Sequence, residues 1–271
     1  MSRPLVSVIM GVYNEKNREQ LELAIDSILS QTLQEIEFII CDDGSEQTCS
    51  EMLREICARD GRIRLYRHEE NQGLAAALNT CLSHARGEYV ARMDGDDISK
   101  PERLKRQWEY LENHPAYALV GCSAELIDER GIWGNRDLIP DPKKEDFLFG
   151  SPFMHPTIMM RRGVLARLGG YCTEDFALRT EDYELFMRLY ALGERGHNMP
   201  ERLFCYREDG NSYVRRKYRY RLREFEVRRR GFARLGISRG NKRYIIKPLI
   251  VGLIPGWLMK IYKMRKGGSS S

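Results

Sequence analysis

"LVSVIMGVYNEKNREQLELAIDSILSQTLQEIEFIICDDGS" occupies residues 5–45, and its reading decides the fold. Residues 5–13 form a short, β-branched apolar run, the pattern of a strand buried on both faces. Residues 18–32 follow with Leu21, Ala24, Ile25, Ile28 and Leu29 at helical spacing. Residues 36–45 are a second apolar strand that ends in a turn. The alternation then repeats. It predicts helices over 49–60 and 73–85 and strands over 63–68 and 88–94. Strand and helix at this spacing predict right-handed βαβ units in an α/β fold, with a mostly parallel central sheet flanked by helices. Ligands bind such sheets beyond the carboxyl ends of the strands. The polar clusters Asn14–Glu15, Asp42–Asp43, Asn71 and Asp94–Asp97 all fall there.

After residue 100 the rhythm changes. Residues 101–115 read as a helix with Pro101 in its first turn and Pro115 just past its end. Residues 117–131 read as a strand and turn, 134–150 as loop, 155–162 as a strand, and 180–193 as a helix closed by Gly193. The chain of 271 residues, 42% apolar and 31% charged, suits one large domain with an appendage and excludes a disordered chain. Seven cysteines, an odd number with no CxxC pair, predict reduced thiols in a cytosolic setting rather than a disulfide framework or a zinc knuckle. No apolar signal core is visible over residues 1–20.

The C-terminal part differs in composition. Between residues 213 and 230, nine positions are Arg or Lys, interleaved with Tyr213, Tyr218, Tyr220 and Phe225. Residues 244–266 are strongly apolar but broken by Lys247, Pro248, Gly252, Pro255 and Gly256. A spanning helix needs about 20 apolar residues. This segment suits an interfacial helix or hairpin instead, with Trp257 and Tyr262 at headgroup depth. The expected division is a domain over 1–210, a basic and apolar helical tail over 211–266, and a flexible end over 267–271. Nucleic-acid binding, an anionic membrane surface, and plain packing on the core all fit the basic stretch. The apolar run that follows favours the membrane.

Three carboxylates, Asp94, Asp96 and Asp97, stand within four positions of the fourth strand's end. One reading is a turn, with Asp97 or Ser99 capping the next helix. The other is a site for a hard divalent cation, Mg²⁺ or Mn²⁺, shared with substrate phosphates. Alternation in an extended segment would point Asp94 and Asp96 the same way and Asp97 away, with Gly95 leaving room for a phosphate.

Six segments in order, "VSVIMGVYNE", "CDDGS", "NQGLAAALN", "ARGEYVARMDGDD", "HPT" and "TEDYELFMRL", resemble family 2 glycosyltransferases with the GT-A (Rossmann-like) fold. The resemblance covers roughly residues 4–210, with a nucleotide-binding half over 1–100 and an acceptor half over 101–210. It implies that Asp94 and Asp96 hold the metal that bridges a nucleotide-sugar diphosphate, Asp96 as direct ligand and Asp94 facing the ribose or the metal's water shell. The loop from Gly11 to Glu15 would lie along the nucleoside, with Tyr13 on the base. Asp43 is similar to the family's base reader and would accept from a uracil N3–H. Asn71 and Gly73 would contact base or ribose, or simply start a helix. Arg92 would offset the aspartates or support the diphosphate.

Transfer requires a stabilised leaving diphosphate and a base for the incoming hydroxyl. The resemblance puts that base at Asp182, opposite the metal, in an inverting displacement. Glu181 would position the acceptor or stay structural; both acids also suit the positive end of a helix dipole. His155 would line the acceptor pocket or pack as an interior histidine. Arg207 would reach the diphosphate or sit on the surface, and His197 is a weaker metal ligand. The reading is a metal-dependent glycosyltransferase using a UDP-sugar, acting at the inner membrane face on a glycan carried by lipid, as relatives that build bacterial surface polysaccharides do. The rivals are a nucleotidyltransferase, for which residues 11–19 lack the glycines of a phosphate loop, and a non-catalytic nucleotide- or membrane-binding protein.

Overall fold

A computed structural model describes residues 3–208 and 218–253. The first strand, β1 (Val6–Val12), is followed by α1 (Arg18–Leu29), β2 (Ile36–Asp42), α2 (Gln47–Cys57), β3 (Ile63–Arg67), α3 (Leu74–His84) and β4 (Tyr89–Arg92). Asn17 caps α1, its side chain accepting from the Gln20 N–H. β2 pairs with both β1 and β3, and β1 also with β4, all in parallel, with Val6 opposite both Ile36 and Tyr89. Side-chain alternation splits the core cleanly. Val8, Met10, Phe38 and Ile40 pack under α1 and α2, while Ile9, Ile39 and Cys41 pack under α3.

The second half departs from the parallel rule. It contains β5 (Ile98–Ser99), α4 (Arg103–Asn113), β6 (Leu119–Asp128), β7 (Gly131–Arg136), β8 (Met159–Arg161), α5 (Arg162–Leu168), α6 (Glu181–Ala191) and β9 (Gly196–Arg207). The sheet runs β3-β2-β1-β4-β8-β6-β9-β5, with β7 on the free part of β6. β8 is antiparallel to both β4 and β6, and β6 and β9 are parallel.

Three expectations change. His155–Thr157 is a 3-10 turn built on Pro156, so the strand there is only Met159–Arg161, and α5 follows at once. Gly169, with φ of 72°, ends α5 in the left-handed conformation. Residues 131–136 extend as β7 where loop was expected from 134. β9 escaped the pattern reading because its polar residues and Pro200 obscure alternation. The ladder absorbs the proline in a bulge, with Cys122 opposite Met199 and Ser123 opposite Arg202.

The chain continues as α7 (Tyr218–Arg234) and α8 (Lys242–Leu253), packed on each other. α7 buries Val227 and Phe232 in the core that α6 shares, so this part of the basic stretch packs on the domain. α8 leaves Ile246, Ile250 and Leu253 exposed at helical spacing. Among the described residues no helix is long and apolar enough to cross a membrane. Trp257, Tyr262 and the 267–271 end lie outside the described residues. All seven cysteines are free thiols, five of them fully buried.

Candidate active site

The loops that leave β1, β2 and β4 lie together at the carboxyl ends of these parallel strands. Asp94, Asp96 and Asp97 converge there, one carboxylate oxygen of each lying within 4.8 Å of the others. The alternation expected for this segment fails because the chain leaves the extended conformation after Arg92 and turns at Gly95–Asp96. Asp97 therefore belongs to the cluster. It is buried, one oxygen accepting from the Arg207 N–H at 2.7 Å and the other lacking a donor. It does not cap α4, whose N-cap is Glu102, and Ser99 instead accepts from Gln31 Nε2 at 3.0 Å. Gly95 is needed for a different approach from the one expected: a Cβ there would lie 3.3 Å from Leu21 Cδ1.

Electrostatics at the cluster is unbalanced. Arg92 is fully buried and ion-pairs with Asp94, leaving Nε without a hydrogen bond. Its guanidinium acts on all three acids. The walls of the cleft and then the Asp94 charge push Asp96, which opens to solvent, up to about 6. Burial, then Asp94 and Asp96, raise Asp97 well above the carboxylate range. Close acids held against their ordinary ionisation mark a site for a cation. Three convergent hard oxygens fit Mg²⁺ or Mn²⁺. Arg207 joins the cluster, its Nε donating to the Asp96 carbonyl at 2.9 Å.

The β1 and β2 loops show other roles. Asp43 is buried and accepts from four donors: Asn71 Nδ2 at 2.8 Å, Gly73 N at 2.7 Å, Gln72 N at 3.0 Å and His68 Nδ1 at 2.7 Å. Its oxygens have about four lone-pair sites. A uracil N3–H would have to share one with these donors, so the carboxylate reads first as the lock on the 68–73 loop. Asn71 is held by the same bonds. Gly11 faces α3, where a Cβ would lie 3.1 Å from both Ala77 Cβ and Leu74 Cδ1, so its missing side chain permits close packing of β1 and α3. Glu15 accepts from the Lys16 and Asn17 N–H groups and folds its own loop, while its charge reaches Asp96. Tyr13 is 54% exposed and free to stack on a planar ligand.

Facing this cluster stands the N-terminus of α6. Glu181 is buried, its carboxyl raised by burial and then by Asp182, and Oε2 has no donor. Asp182 is half-buried beside it. Arg92 acts electrostatically on Glu181, and Tyr171 feels Arg92, Asp182, Glu181 and Asp94 in that order of strength. Tyr171 thus lies within electrostatic reach of both acidic groups. Its hydroxyl lies 2.9 Å from His155 Nε2. Burial and Arg92 hold His155 well below its ordinary range, so it is a neutral, hydrogen-bonded imidazole behind the site. His197 lies at the other end of β9, stacked on Tyr110 and bonded to Asp141. Sequence reasoning missed Tyr171 and His68; neither stands in a spacing pattern, because each is brought in from a separate element.

Comparison with known proteins agrees with this geometry. The family model "Glycosyl transferase family 2" matches residues 7–184. The putative glycosyltransferase EpsE of Bacillus subtilis (strain 168) is 39% identical over 266 residues, covering 98% of this chain and 95% of that one. The amylovoran biosynthesis glycosyltransferase AmsE of Erwinia amylovora is 32% identical, covering 97% and 100%. Among solved structures, S. aureus TarS 1–349 in complex with UDP superposes with a TM-score of 0.66 at 18% identity, over 92% of this chain and 70% of that one. Mannosyltransferase PcManGT from Pyrobaculum calidifontis, in complex with GDP-Man and Mn²⁺, gives 0.65 at 20% identity, over 99% and 82%. The likeness to both establishes the GT-A fold. With two acidic groups meeting across the end of such a sheet, the chain belongs to glycosyl transferase family 2 and is a glycosyltransferase.

Proposed function

We propose that the protein transfers a sugar from a UDP-sugar, with a divalent cation and with inversion, to a glycan acceptor carried on lipid. The observation that carries this reading is the pair of acidic groups, Asp94/Asp96/Asp97 and Glu181/Asp182, on either side of buried Arg92. Asp94, Asp96 and Asp97 would hold Mn²⁺ or Mg²⁺, which when bound supplies Lewis-acid neutralisation of a leaving diphosphate. Arg92 steadies Asp94, and Arg207 stands beside the cluster with a cation for the phosphates. Tyr13 stacks on the base, and Asp43 holds Asn71 and the 68–73 loop against the nucleoside.

Asp182 takes the proton from the acceptor hydroxyl. It is half-buried at the start of α6, where water is partly excluded. A single base on the face opposite the leaving group gives direct displacement, hence inversion. Buried Glu181 orients the acceptor, and Tyr171 and neutral His155 form the polar floor between the two groups. TarS and PcManGT were solved with uridine and guanosine nucleotides respectively, so the base is the less fixed part of the donor. Polysaccharide assembly follows the name of AmsE. The arginines of α7 and the apolar outer face of α8 would attach the protein to the anionic inner face of the membrane, close to a lipid-borne acceptor.

Titration with UDP and Mn²⁺, alongside release of nucleotide from a panel of UDP- and GDP-sugars, tests the reading. Asp96→Ala should abolish metal-dependent UDP binding and turnover. Asp182→Asn should retain binding and lose turnover by about a hundredfold or more. Full turnover in either variant would overturn the corresponding assignment.

A further inference from the structure

Strained backbone lies beside the residues proposed to activate the acceptor. Among the described residues, Asn14 and Arg179 alone are non-glycine with positive φ. Arg179, at φ 68°, immediately precedes the α6 N-cap Thr180 and stands three residues before Asp182. Such a conformation persists only where the surroundings hold it.

The surroundings here are supplied by α7. The Arg179 guanidinium lies 5.0 Å from the Tyr220 ring centre, and Arg223 lies 5.4 Å from the same ring. Arg223 Nε donates to Asp175 Oδ2 at 3.1 Å. Arg230 stacks on Phe176 at 4.0 Å, with Nη1 3.8 Å from Glu174 Oε2. Further along, Arg234 Nη1 donates to Glu184 Oε1 at 2.9 Å, and buried Arg228 stacks over Tyr183. At Gly231 a Cβ would meet Met187 Sδ at 2.2 Å, which shows how closely α7 lies on α6. An exposed ion pair contributes little by itself. Two ion pairs and two cation–ring contacts converge on residues 174–179, the segment that leads into Glu181 and Asp182.

We propose that α7 is a positioning element of the active site. Tyr220, Arg223 and Arg230 hold the 174–180 segment so that Glu181 and Asp182 face the Arg92 cluster. The catalytic side of this inference rests on the reading of Asp182 as the base. It makes α7 part of the enzyme's machinery as well as its surface, so Tyr220 serves the active site from outside it.

The test uses full-length Tyr220→Leu, Arg230→Gln and Tyr220→Phe. In the first two, hydrogen exchange of residues 174–182 should quicken about tenfold or more, with 36–45 and 89–97 unchanged. Release of UDP from UDP-GlcNAc, or from whichever UDP-sugar the wild type turns over, should fall in kcat by roughly ten- to a hundredfold, while the Kd for UDP with Mn²⁺ stays within about twofold. Tyr220→Phe keeps the ring under Arg179 and should retain both protection and kcat. Unchanged protection of 174–182 in Tyr220→Leu and Arg230→Gln would overturn the proposal, as would a Tyr220→Phe variant as damaged as Tyr220→Leu. If Tyr220→Leu loses protection throughout the chain, Arg230→Gln decides alone. If the wild type turns over no nucleotide sugar, the proposed reaction fails, whereas the exchange result still decides whether α7 holds the segment.

Discussion

Lowering the pH should empty the proposed cation site well before it harms the fold. Asp96 must be ionised to accept a metal, and its surroundings push it up to about 6. An ordinary aspartate, near 3.9, stays almost fully ionised at about pH 5. Asp96 would then be ionised in roughly one molecule in ten, against nine in ten at about pH 7. This group alone predicts a roughly ninefold weaker Mn²⁺ affinity at the lower pH. Asp97, raised further, should steepen the loss. His155 stays neutral through the window and adds nothing. The sign follows from the raised carboxyls: binding strengthens as pH rises through about 6 and releases protons. Calorimetry with Mn²⁺ alone, without UDP, avoids titration of the nucleotide's own phosphate. Repeating it in buffers of different ionisation enthalpy counts the protons released. Asp96→Asn should weaken binding and flatten the profile. An affinity equal at about pH 5 and pH 7, or binding without proton release near pH 6, would refute the reasoning.

Three further outcomes are expected. Arg92→Met removes the cation buried against Asp94 and should destabilise the protein by about 3–5 kcal/mol in urea denaturation, with Asp94→Asn restoring part of the loss; simple additivity of the two changes would show that the pair is not coupled. Gly44→Ala is strained twice, by φ of 70° and by a Cβ 2.3 Å from the Glu70 carbonyl carbon; it should cost about 1–3 kcal/mol and weaken UDP binding by pushing the 70–71 backbone off Asp43, and unimpaired calorimetric binding would contradict this. Ile246→Glu with Ile250→Glu should remove the salt-resistant part of sedimentation with phosphatidylserine vesicles; if salt releases the wild type completely, the attachment is electrostatic alone.

The parallel half was legible in the sequence because its strands are buried on both faces and its helices are amphipathic, as Val8, Ile9, Leu21 and Ile25 illustrate. β9 was not, because its burial comes from neighbours far away in the chain and its ladder is bulged around Pro200. The cluster was legible as a run of acids, but alternation misassigned Asp97, since that rule holds only while the chain remains extended. The packing of Gly11 against Ala77 and of Gly95 against Leu21 was not legible, because it depends on what stands opposite in three dimensions. Asp43 illustrates the same limit: its partners Gln72 and Gly73 are backbone donors, which no residue pattern advertises.

The reversal of direction at β8 has a consequence for how the chain matures on the ribosome. The β1–β2 and β2–β3 pairings close through local crossovers, and β4 joins β1 within the first 92 residues. β6 waits for β9, Leu119 meeting Gly196 only after the intervening turns and helices are made. Segments that leave the ribosome first can pair first. The nucleotide side should therefore form first during synthesis, while Asp97 remains without the Arg207 N–H that will hold it. The emerging chain would acquire its grip on a nucleotide before it acquires a finished cation site, and α7, made later still, would bring the catalytic segment into place. A truncated product would then bind substrate without spending it.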